Sequence, residues 1–104
     1  MLISTTENIP GRPIKRFFGV VSGGTVQSKR IGREIAAAIK NLFGGELTGH
    51  TALLQECRED ALARMVAEAE SLGANAVVNV RFSTSSITQG AAEMFAYGTA
   101  VQVD

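Results

Sequence analysis

ANAVVNVRFSTSSITQGAAEMFAYGTAVQV, residues 74–103, decides the fold. It is rich in β-branched and aromatic residues, with polar residues gathered in its middle. ANAVVNVRFS (74–83) reads as a strand with Ala76, Val78, Val80 and Phe82 on one face and Val77, Asn79 and Arg81 on the other. TSSITQG (84–90) reads as a polar turn or loop. AEMFAYGTAVQV (92–103) reads as a second strand, with Phe95, Tyr97, Thr99, Val101 and Val103 on one side. Two such runs joined by a polar connection predict an antiparallel hairpin.

Upstream, IKRFFGVV (14–21) is a third β-prone run. Strict alternation places Ile14, Arg16, Phe18 and Val20 on one side and Lys15, Phe17, Gly19 and Val21 on the other. Both sides carry large apolar groups, whereas a surface strand normally shows one wet face. Either helices cover both sides or the second side meets another subunit. LIST (2–5) is a short β-prone run, and NIPGRP (8–13) is a turn or linker that ends it.

Two helices are expected between the strands. SGGTVQSKR (22–30) reads as the loop into the first, with Ser28 as a candidate N-cap. Ile31, Ile35, Ile39 and Leu42 then line one stripe, and Gly44 and Gly45 stop it. Thr48 caps a second helix running to about Leu72, with Gly73 as its stop. The order strand, strand, helix, helix, strand, strand predicts an α+β domain spanning 1–104: an antiparallel-rich sheet with two helices on one face.

Composition narrows the function classes. The 104 residues are 45% hydrophobic and 19% charged, which argues against disorder. Ten basic and ten acidic side chains cancel, so no net charge draws the chain to nucleic acid or a membrane. The charge is nevertheless divided, about +5 over residues 1–44 and −5 over 45–104. One cysteine builds no disulfide framework. MLISTTENIPGRP lacks the basic and apolar regions of a signal peptide, and no apolar run nears the ~20 residues that span a bilayer. The expectation is a soluble cytoplasmic protein.

The candidate chemistry centres on GGELTGHTALLQECRED (44–60), which holds the single histidine, His50, and the single cysteine, Cys57. With Leu54 at the origin of a helical wheel, Ala61, Met65 and Leu72 fall within about 20° of it, and Cys57 and His50 lie to one side of the same stripe. Glu56, Glu59, Ala63, Ala67 and Glu70 take the opposite face. His50 and Cys57 are seven residues apart, about 10 Å along the axis. Zinc bonds to sulfur and nitrogen are only about 2.0–2.3 Å long, so one ion does not reach both within a straight helix. Both residues are metal candidates only if several chains bring copies together; otherwise they belong to the inner face of the helix.

Other motifs carry less. SGGTVQSK has glycines between a strand and a helix, where a phosphate can bind, but it does not match the P-loop spacing. Lys29, Arg30 and Arg33 crowd a helix start, a placement opposed by the macrodipole. STSSIT (83–88) offers hydroxyls, yet a catalytic triad would have to use His50 with an orienting acid that no spacing supplies. No catalytic residue is assigned. Asp60 and Arg64 form an i,i+4 pair in the favourable order.

Taken together, IPGRPI, FFGVVSGG, FGGEL, LLQECREDALARMVAEAESLGANAVVNVRF and AYGTAVQV resemble the YbjQ-like family. The match covers nearly the whole chain. GGE (44–46), LGANAVVNVRF (72–82) and YGTAV (97–101) are its most specific parts. The resemblance implies a dodecin-like subunit, assembly as ring-like pentamers, and an uncharacterised function under the label "putative heavy-metal-binding". A metal ion is thus the cofactor it implies. Relatives commonly carry an aromatic residue where His50 stands and a small one where Cys57 stands, so neither is carried over as a family ligand. Three readings follow: an oligomeric domain binding an ion or small ligand between subunits, a structural module without ligand, or an enzyme with a shared site.

Overall fold

The computed structural model describes residues 1–25, 47–88 and 91–104. Within them lie β1 (Leu2–Ile3), β2 (Ile14–Gly24), α1 (Leu47–Ser71), β3 (Ala76–Thr88) and β4 (Ala91–Val103). The strands form one mixed sheet in the order β1-β3-β4-β2. β1 runs parallel to β3, while β3–β4 and β4–β2 are antiparallel. The fold is α+β, as expected. The first of the two expected helices (31–42), its Ser28 cap and the basic cluster Lys29, Arg30 and Arg33 lie outside the described residues.

The hairpin is longer than the sequence suggests. The stretch expected as a polar loop is strand as far as Thr88, with Ser83 opposite Phe95, Thr84 opposite Met94 and Ser86 opposite Ala92. Threonine is at home in strands, and a backbone ladder needs no apolar side chains to continue. The same correction applies to Ser22–Gly24, expected in a loop and found at the end of β2. Pairing even outlasts that strand. Buried Thr25 donates its hydroxyl to the Met94 carbonyl (3.1 Å) and accepts the Met94 amide (3.2 Å), so its side chain imitates one more ladder step.

Strict alternation fails at two places. In β3, Val78 faces Thr99 and Arg81 faces Tyr97, so Asn79 and Val80 together oppose the single residue Gly98. This is a β-bulge, and Asn79 within it takes a left-handed φ of 55°. Beyond the bulge the faces exchange. Val77 and Val80 share one core cluster, and Ala76 and Val78 share another. Val80 therefore does not join Ala76 and Val78 as alternation predicts. In β2, register shifts between Ile14 and Arg16 and between Phe17 and Gly19 have the same effect. Ile14, Phe17 and Val20 oppose Val103, Val101 and Thr99, and so share one face. β4 keeps its alternation throughout, with Val101 and Val103 on one side and Ala96 and Ala100 on the other.

α1 covers one face of the sheet. Its buried stripe is Cys57, Ala61, Met65 and Ala69, spaced by four. Ala61, Met65 and Ala69 pack with Val21, Val77, Val80, Ala96 and Ala100. Small residues let the helix sit close. A Cβ on Gly23 would overlap the Met65 amide nitrogen, the Ala61 carbonyl and the Arg64 Cβ, so strand backbone rests on helix backbone there. The expected outer face is observed: Glu56, Glu59, Ala63, Ala67 and Glu70 are exposed, and Arg64 Nε donates to Asp60 Oδ2 at 2.9 Å. Leu54 and Leu72 depart from expectation, both being exposed at the ends of the stripe.

The helix stops where expected. Gly73 has φ 88°, its amide donates to the Glu70 carbonyl, and the Ala74 amide donates to the Ala69 carbonyl. These two bonds make a Schellman cap, and Ala74 packs with Ala69 beneath it.

Candidate functional site

The second face of the sheet is the principal surface feature. Near one end, Ala76, Val78, Val101 and Val103 are buried, with Ile9 packed over them. The Ile9–Arg12 turn, closed by an Arg12 amide bond to the Ile9 carbonyl (3.0 Å), holds that side chain in place. The cover ends there. Val20 is 76% exposed and Phe17 71%, with Ile14 and Tyr97 exposed beside them. Tyr97 packs against Phe95 with ring centroids 5.9 Å apart. Arg81, opposite Tyr97, turns its guanidinium to the Thr5 and Val80 carbonyls, both at 2.9 Å.

Single exposed apolar residues are ordinary, but a contiguous group on one sheet face is the usual mark of a contact surface. The sequence pointed to this surface through the two apolar sides of IKRFFGVV. It assigned the partners wrongly, pairing Phe17 with Val21 rather than with Val20, because the register shifts cannot be read from the residue types.

The metal candidates are placed differently. His50 lies near the start of α1, outside the described side chains. Cys57 lies two turns further on and is fully buried. One helix thus carries both, seven residues apart as expected, and Cys57 faces inward. Among the described residues, no group of three or more His, Cys, Asp and Glu side chains could hold an ion. Glu93, opposite Ser85, is half-buried with its carboxylate against Gly24. Among the described residues, no helix is long and apolar enough to cross a membrane.

Comparison with known proteins gives these features a family. A family model described as "Putative heavy-metal-binding" matches residues 1–104. The chain belongs to this YbjQ-like family. A UPF0145 protein of Hahella chejuensis is 57% identical over 104 residues, covering the whole of both chains. A UPF0145 protein of Thermotoga maritima is 56% identical over 104 residues, covering all of this chain and 98% of its own. A crystal structure of a DUF74 family protein of unknown function from Pediococcus pentosaceus matches with a TM-score of 0.52 at 21% identity, covering 100% of this chain and 98% of that one. That likeness supports the fold alone.

Proposed function

We propose that this YbjQ-like chain is a non-enzymatic domain that assembles with copies of itself through the uncovered sheet face and binds a metal ion or small ligand between subunits. The carrying observation is the exposure of Phe17 and Val20 on the face opposite α1. Burying apolar area yields about 25 cal/mol per Å², so a patch built on a phenylalanine, a valine, an isoleucine and a tyrosine favours association. The resemblance that names the family implies five copies. It also implies a dodecin-like subunit, in which a second helix would share the α1 face. The cytoplasm is the proposed location.

The metal reading follows the family description rather than a described ligand set. The described residues hold no such set, so this reading takes its donors from several chains, and His50 is the candidate donor nearer the start of α1. Elemental mass spectrometry of purified protein, before and after zinc or copper addition, tests it. Stoichiometric metal that is lost in His50→Ala supports the reading. Absence of bound metal in the wild type contradicts it and leaves a small-ligand site or the alternative, a structural module without ligand. A thermal-shift panel of small metabolites separates a ligand-binding assembly from a bare scaffold.

A further inference from the structure

A second exposed element lies beside the apolar face: the outer edge of β2. β2 is the last strand of the described sheet, so one side of its backbone has no strand partner. The Ser22 amide identifies which groups point outward. It donates to Glu68 Oε2 at 2.9 Å, away from β4. Pairing is regular from Val20 through Ser22, and alternate residues of a strand aim their amide and carbonyl the same way. The amide of Val20 therefore also points outward, on the strand that carries the exposed Phe17 and Val20 side chains. An open edge beside apolar side chains is a template for pairing with another chain.

We infer that Glu68 guards this edge, occupying the Ser22 amide so that a strand from a second copy of the chain cannot add to β2. The close approach at Gly23 puts the guard in reach. The β2 backbone touches α1 at Ala61 and Met65, and Glu68 follows Met65 by three residues, just short of one turn. From there a glutamate spans the gap to the neighbouring residue, Ser22. An incoming strand would need that amide as a donor and would also bring its own carbonyl toward the Glu68 carboxylate. Both effects oppose pairing, in line with the use of charged side chains to blunt sheet edges. The guard acts at the edge of the sheet, whereas the proposed assembly uses its face. The two therefore stand or fall separately.

The test combines amide exchange with sedimentation velocity on the full chain. In the wild type, the Ser22 amide should exchange at least tenfold more slowly than the Val20 amide. Glu68→Ala should remove that difference and add species larger than the wild-type assembly. Glu68→Gln, which keeps an acceptor oxygen but not the charge, should retain the slow exchange of the Ser22 amide. Adding Ser22→Pro to Glu68→Ala removes the unguarded outward donor without touching the β4 ladder or the apolar side chains of the sheet face, and should abolish the larger species. Equal exchange of Ser22 and Val20 in the wild type would overturn the inference, even if Glu68→Ala failed to fold. So would a folded Glu68→Ala that sediments as wild type, or larger species that survive Ser22→Pro.

Discussion

The Asn75 side chain completes the sheet by pairing with the backbone of Val103. Its Oδ1 accepts the Val103 amide and its Nδ2 donates to the Val103 carbonyl, each at 2.8 Å. A carboxamide carries a donor and an acceptor side by side, as a peptide group does, so Asn75 acts as one more residue of strand opposite the end of β4. Asn75→Ala removes both bonds. The expected loss is about 1–3 kcal/mol, since a part-buried amide and carbonyl lose their partners. Asn75→Asp keeps the acceptor but sets a carboxylate against a carbonyl, and should cost more than Asn75→Gln. Chemical denaturation of the three variants checks the order.

Asn79 makes a sharper conformational prediction. Its φ of 55° falls in the region that asparagine and glycine tolerate and β-branched residues avoid. Asn79→Gly should change stability by less than about 1 kcal/mol, while Asn79→Val should destabilise by about 1–2 kcal/mol or more. The bulge also aligns the N-terminal segment. The Asn79 amide donates to the Thr6 carbonyl and the Val80 amide to the Ser4 carbonyl, both at 3.0 Å. Asn79→Val should therefore speed amide exchange at Asn79 and Val80 before the rest of β3.

Gly23→Ala is predicted to be among the most damaging single-methyl additions. The new Cβ meets backbone atoms of α1 rather than the end of a movable side chain, so strand and helix must separate. Overpacking of this kind costs about 1–3 kcal/mol. The separation should also weaken the Ser22–Glu68 bond. A normal melting temperature for Gly23→Ala would contradict the close helix–strand contact.

These three positions show what was legible in the sequence. The types of β2, α1, β3 and β4 were plain from periodicity, and the α1 stop at Gly73 from a glycine after an apolar stripe. β4 kept its expected faces because its register against β3 and β2 lacks a shift along residues 95–101 apart from those absorbed by its neighbours. The faces of β2 and β3 were not legible. A bulge changes which side chains share a face without changing composition, and Asn79 read as an ordinary member of an alternating strand. The serines and threonines after Phe82 looked like a loop because their polarity hid a ladder that runs through backbone groups. For the candidate site, the apolar excess of IKRFFGVV was visible, but its true grouping of Ile14, Phe17 and Val20 needed the register.

Cys57 is fully buried, so its thiol should be unreactive in the native protein. A thiol-specific reagent should label it slowly under native conditions and rapidly in denaturant. Cys57→Ala should lower stability by about 1–2 kcal/mol through lost packing, without changing the state of assembly. Fast native labelling would place Cys57 at the surface and reopen it as a ligand.

Sedimentation velocity of the wild type beside Phe17→Asp tests the central claim most directly. Phe17 is 71% exposed, so a charge there should leave the subunit folded while disrupting the apolar face. The account predicts a multimer for the wild type at micromolar concentration and a monomer with unchanged circular dichroism for Phe17→Asp. A monomeric wild type, or a Phe17→Asp variant that assembles as the wild type does, would contradict it.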